Sequence, residues 1–194
     1  MFERFTKDAR DVVRGAVEHA DRSGAQSVGA DHVLLALLDR EASRASFGLA
    51  ALGLAERKES VRRALTEARR RAGLSQAEAD ALAGLGIDVS EIVARVEEVH
   101  GVGAMSGDRQ DKGRRPASGP ARFGRRPFGR SAKDTLEKAL RIAVARRDRH
   151  IGDEHILLAL TARPGVPAEV LADHGVTYEG LTRVLYGEGE AKAG

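Results

Sequence analysis

Two histidines with acidic neighbours are the first places in this chain where side-chain chemistry could reside. His32 follows Asp31, and His155 follows Glu154. The two could be a metal-binding or catalytic pair, but metal-binding histidines usually sit three to five residues apart or within a larger set of acidic ligands. Each of these stands alone at the start of an apolar helix. The competing role is a ring bonded to backbone inside each repeat. Cysteine is absent, so disulfides, thiolate metal sites and cysteine nucleophiles are excluded. No Gly-Lys dipeptide occurs, so no Gly-x-x-x-x-Gly-Lys-[Ser/Thr] loop can cradle a triphosphate. Gly73-Leu74-Ser75-Gln76-Ala77 lacks the final glycine of a nucleophile elbow. The expectation is a non-enzymatic protein with no catalytic residue, no metal and no cofactor.

The elements that must position these groups occur twice. Val28-Gly29-Ala30-Asp31-His32-Val33-Leu34-Leu35-Ala36-Leu37 returns as Ile151-Gly152-Asp153-Glu154-His155-Ile156-Leu157-Leu158-Ala159-Leu160, displaced by 123 residues. The same displacement sets Phe5 on Phe128 and Ala20 on Ala143. Two copies of one helical unit that each leave an apolar face uncovered are expected to fold together.

Helical periodicity runs through both copies. Thr6 reads as an N-cap, followed by Ala9, Val12, Val13, Ala16, Val17 and Ala20 at helical spacing, and Gly24 ends that helix. A nearly all-apolar helix at about 31–39 must be central to a core, and a third helix at about 44–52 ends at Gly53. Residues 55–83 have no counterpart in the second copy. They read as a long Arg-rich helix plus a short one with a Ser75–Glu78 capping box. The pattern resumes after Gly86: Ile92 and Val96 lie beyond it as Leu181 and Leu185 lie beyond Gly175. The expected helices of copy two are about 130–147, 153–162, 167–174 and 177–186, with Asp153 and Thr177 as N-caps. This divides the chain into copy one at 1–100 with an insertion at about 53–85, a Gly/Pro/Arg-rich linker at 101–126, copy two at 127–187, and a tail at 188–194. The copies pack as one domain.

Charge separates these parts. Residues 109–130 carry eight basic side chains against Asp111, so the remainder is net acidic although the whole chain is +3. A solvated linker is the commoner meaning of that composition. Phosphate contacts to nucleic acid are the alternative, with Phe123 and Phe128 available for stacking. No apolar run approaches the roughly 20 residues that span a bilayer, and the N-terminus lacks the order of a secretion signal. A cytoplasmic protein without membrane contact is expected.

The opening Met1-Phe2-Glu3-Arg4-Phe5-Thr6 and the repeated Gly-x-[Asp/Glu]-His-[Val/Ile]-Leu-Leu-Ala-Leu motif resemble the N-terminal (Clp R) domain of Clp-family AAA+ unfoldases, closest to the ClpC type. The resemblance covers residues up to Gly53, then Gly86–Gly101, then 127–187. It implies an all-α fold of two four-helix repeats related by a pseudo-two-fold; residues 53–85 then read as an inserted helical hairpin in repeat one, and the missing Gly-Lys loop leads to the expectation of a domain without ATPase modules. It also implies binding of peptide segments, Clp adaptors or substrates, and a role as adaptor or as decoy competing with full-length ClpC. Cyclic peptide antibiotics are further implied ligands, and ClpC itself a further partner. The implied ligand groove uses Phe2, Val13, Pro127, Phe128, Lys133, Glu137, Leu140 and Val144, with ordinary inter-repeat core as the competing role for the apolar members.

In ClpC-like domains the acidic position of the motif grasps the guanidinium of phosphoarginine, and a threonine at a neighbouring helix start contacts the phosphate. Copy one has Thr6 and the shorter Asp31; copy two has Glu154 and Gly129 in the threonine's place. Each half-site departs once from the pattern, and a carboxylate in a first helical turn is also favoured by the helix dipole alone.

Overall fold

The computed structural model describes residues 2–71, 74, 76–100 and 126–187, excepting the side chains of Phe2, Gln76 and Ala77. Ten α-helices lie among them: α1 (Lys7–Arg22), α2 (Ala30–Leu38), α3 (Arg44–Ala51), α4 (Lys58–Arg70), α5 (Gln76–Gly84), α6 (Val89–His100), α7 (Arg130–Ala145), α8 (Asp153–Thr161), α9 (Val166–Asp173) and α10 (Tyr178–Tyr186). The expected all-α class is what the chain adopts. No helix among the described residues is long and apolar enough to cross a membrane. The 101–126 linker, apart from Arg126, lies outside the described residues, as do Ser75 with its capping box and the 188–194 tail.

Local chemistry sets the helix boundaries. Thr6 caps α1, its Oγ1 accepting from the Ala9 N–H at 3.2 Å, and Thr177 caps α10 by accepting from Gly180 N–H at 3.1 Å. Asp153 is not the cap of α8. Gly152 holds that position, and Asp153, inside the first turn, accepts instead from the Ala45 N–H of α3 at 3.2 Å. A carboxylate of copy two thereby satisfies a free donor at a helix start of copy one.

The core is built on α2 and α8. Val33, Leu34, Ala36, Leu37 and Leu38 are buried on α2, and every residue from Asp153 to Leu160 is buried on α8. α1 packs on α2 and also touches α8; α7 packs on α8 and also touches α2. The copies are stitched by two isolated parallel β-bridges, Phe5 with Ile151 and Val28 with Phe128. Their hydrogen bonds correspond under the 123-residue displacement. Thr6 N–H donates to Ile151 O (2.9 Å) as Gly129 N–H donates to Val28 O (2.9 Å), and Ile151 N–H donates to Arg4 O (2.8 Å) as Val28 N–H donates to Pro127 O (2.9 Å).

The expected insertion at 53–85 needs correction. α10, which closes copy two, packs on α8 and on α3 of the other copy. The helix that packs in the equivalent way on α2 and on α9 is α4, not α6. Val61 and Leu65 of α4 are buried, as Leu181 is in α10, whereas Ile92 of α6 is exposed. α6 packs only on α4 and α5 among its principal contacts. The additional hairpin is therefore α5–α6, and α4 closes copy one. His174 of α9 pairs with Ser60 of α4 across the two copies, Nε2 to Oγ 3.0 Å.

Candidate functional site

Because each bridge joins the segment entering the first helix of one copy to the motif of the other, helix starts meet across copies. The start of α1 lies beside the start of α8, and Thr6 and Glu154 line one cavity of about 250 Å³. At the matching place, the Ala30 N–H at the start of α2 donates to Ser131 Oγ of α7 at 2.9 Å, bringing Asp31 and Gly129 to one junction. The pairing expected within each copy is thus corrected. One junction combines Thr6 with Glu154 and departs nowhere from the motif; the other combines Gly129 with Asp31 and departs twice.

The Thr6 cavity is also lined by Asp8, Arg44, Asp148, Arg149 and Asp153. The Glu154 side chain is only 6% exposed and forms an ion pair with Arg44, Nη1 to Oε1 3.0 Å. Burial pushes the Glu154 carboxyl above its ordinary value; its backbone hydrogen bond and Arg44 oppose that shift, and Asp153 reinforces it. Tyr186 forms one wall of this network. The Arg146 guanidinium lies over its ring at 3.3 Å and that of Arg44 at 5.3 Å. Burial, with Glu154 nearby, raises the Tyr186 hydroxyl to about 12.

The histidines cap their own helices. Gly152 N–H donates to His155 Nδ1 at 2.9 Å, and Gly29 N–H donates to His32 Nδ1 at 3.0 Å. A neutral ring accepting at Nδ1 carries its proton on Nε2. That atom faces Asp148 Oδ2 at 2.9 Å in His155 and Ser23 Oγ at 3.2 Å in His32. Neither ring has a free nitrogen for metal, and no group of three or more His, Cys, Asp or Glu among the described residues could hold an ion. Burial lowers the His155 pKa, with Asp148 opposing. The unfolded chain therefore takes up this proton at higher pH than the folded one, and the His155 contribution to stability is lost as pH drops below about 6.5, against the opposite contribution of Glu154 with its raised value. Urea unfolding at pH 7.5 and 5.5 should show this loss, and His155→Gln should reduce it.

The expected groove positions are distributed over α1, α7 and the segments that precede them. α1 and α7 flank the same pair, α2 and α8. Val13 of α1 and Leu140 of α7 are half-buried against the core, and Val144 is 59% exposed. Lys133 and Glu137 are exposed, with Glu137 3.8 Å from Arg141. Pro127 is exposed. Phe128 is half-buried against the core with its backbone engaged at Val28, so it belongs in part to the inter-copy packing. Phe2 begins the 3-10 turn Phe2–Arg4, and its side chain lies outside the described residues. Of the basic segment, only Arg126 and Arg130 are described; Arg126 bonds Asp21 and the Ala25 carbonyl. The other basic residues of the segment, and Phe123, lie outside the described ones.

Arg44, Arg146, Asp148 and Tyr186 escaped the sequence reading. One signal was present for Arg44. A displacement of 122 sets Leu49 on Leu171 and Gly53 on Gly175, and it places Arg44 on Val166. A charge stands where the other copy is apolar.

Among solved structures, the chain is similar to a protein from a malarial protein secretion system, with 12% identity, 94% of this chain and 92% of that chain covered, and a TM-score of 0.54. It is also similar to the N-terminal domain of the chaperone ClpD from Arabidopsis thaliana (20% identity, 95% and 94% covered, TM-score 0.49) and to the Hsp104 N-terminal domain from Candida albicans (16% identity, 94% and 89% covered, TM-score 0.45). At these identities the likeness concerns the fold alone. The profile of the Clp repeat (R) N-terminal domain matches residues 4–99 and 127–192. That match covers both copies, and the chain belongs to the Clp repeat N-terminal domain family.

Proposed function

We propose that this domain is a non-catalytic binding module of a Clp chaperone system, of ClpC type, that receives peptide segments of substrates or adaptors on the face between α1 and α7. The observation that carries this reading is the exposure of Val144 on α7, whose helical spacing sets it on one face with half-buried Leu140 and the exposed charged side chains of Lys133 and Glu137. An apolar floor with a few charged rim groups suits an extended peptide or a compact cyclic one. Competition with a full-length ClpC for adaptors, and sequestration of cyclic peptide antibiotics, are uses of that surface. The Thr6–Glu154 cavity is a second contact of the same module, suited to an arginine side chain, phosphorylated or not.

The test uses fluorescein-labelled unfolded casein and fluorescence anisotropy. Val144→Asp should weaken binding about tenfold or more, as loss of an apolar interface anchor does. Its melting temperature should stay near the parent's, because Val144 is largely outside the core. Lys133→Ala should weaken binding less, since an exposed rim charge stays hydrated. A folded Val144→Asp protein that binds casein as the parent does would exclude this face.

A further inference from the structure

We propose that Arg44 is a built-in occupant of the guanidinium seat at Glu154, and that a ligand's arginine side chain must displace it to enter the Thr6 cavity. This inference rests on the reading of the domain as a peptide-binding module and names a specificity determinant within it.

Four observations support it. First, the seat accepts a guanidinium, because one already sits there with a nitrogen 3.0 Å from a Glu154 oxygen and the Tyr186 ring nearby. Second, the cavity is lined by the carboxylates of Asp8, Asp148, Asp153 and Glu154 together with Arg44, Arg149, His150 and His155. Asp8 is paired with Arg40 at 2.7 Å and Glu154 with Arg44 at 3.0 Å, so unmet negative charge that favours a cationic ligand arises when Arg44 leaves.

Third, the two partners are unequally held. The Glu154 side chain is 6% exposed and that of Arg44 is 55% exposed. The carboxylate is fixed, and a Cβ added to Gly152 would overlap it, so it packs directly over bare backbone. The guanidinium approaches from the solvent side and can rotate outward without opening the core. Fourth, Val166 occupies the matching position of copy two at the start of α9. The fold therefore does not require an arginine there. Its charge serves the cavity.

An internal occupant lowers apparent affinity by the fraction of molecules in which the seat is empty. Removing it restores the intrinsic affinity. A free arginine side chain and a phosphorylated one share the guanidinium, so both are probed. N-acetyl-arginine methylamide and phosphoarginine are titrated by NMR into the parent, Arg44→Val and Arg44→Gln. If the seat is open in about one molecule in ten, both variants should bind at least one probe about tenfold more tightly than the parent. Adding Glu154→Gln to Arg44→Val should remove that gain.

The gain's distribution between probes identifies whether phosphate adds to recognition. Equal or weaker binding of both probes by a folded variant would overturn the proposal. Should Arg44→Val leave Glu154 too poorly satisfied to fold, Arg44→Gln keeps a donor on the carboxylate and decides the question alone. Casein anisotropy on the same proteins keeps the two readings apart. Val144-dependent casein binding with no gain at Arg44 would sink this inference and leave the module reading intact. Casein binding indifferent to Val144 would sink the groove alone.

Discussion

Leu157→Ala is expected to lower stability by about 3 kcal/mol, within the range for truncating a fully buried leucine, and to do so in one unfolding transition. Leu157 is 0% exposed on α8. That helix touches α7, α9 and α10 of its own copy and α1, α2 and α3 of the other. A cavity cut into it is therefore walled by both copies, and neither can close it by moving alone. The lost methyl groups should be felt across the whole chain, because short helices around two all-apolar cores have too little cover when separated. Differential scanning calorimetry reads the result. A single peak shifted to lower temperature is expected; two separated peaks, with only one of them moved by the substitution, would show that the copies unfold independently.

Gly48→Leu is expected to cost about 1–3 kcal/mol by overpacking, again at a contact between copies. Gly48 is buried on α3. A Cβ placed on it would lie 3.2 Å from Leu181 Cδ2 and 3.3 Å from Leu185 Cδ2 of α10. The remaining carbons of a leucine would have to enter space those side chains already fill, so α3 and α10 must separate or shift. Gly48→Ala should be near neutral. Its single methyl is tight, but alanine gains up to about 1 kcal/mol over glycine inside a helix. Urea unfolding of the two variants separates these outcomes. Equal stability for both would mean that α10 yields freely, and that the contact does not hold the copies together.

The helical class, the duplication and the Clp resemblance were legible because they depend on local signals. Thr6 and Thr177 cap through their own side chains, and the His32 and His155 rings bond the backbone three residues before them. Such contacts span one helical turn, so residue type and spacing specify them. The apolar run of α8 likewise announced its burial.

Three features were not determined in that way. The i,i+4 apolar pairs Val61–Leu65 and Ile92–Val96 look alike in sequence. Only packing on α2 and α9 selects α4 as the closing helix and leaves Ile92 exposed. Thr6 meets Glu154, not Asp31, because the bridges Phe5–Ile151 and Val28–Phe128 seat the segment entering each copy's first helix on the motif of the other copy. No periodicity within one copy encodes that exchange. Arg44 reaches Glu154 across 110 positions of the chain. Sequence alone established which side chains lie at each helix start. The tertiary structure decided which starts share a cavity, because a buried carboxylate takes its partner from whatever cation the fold brings within reach, however distant in the chain.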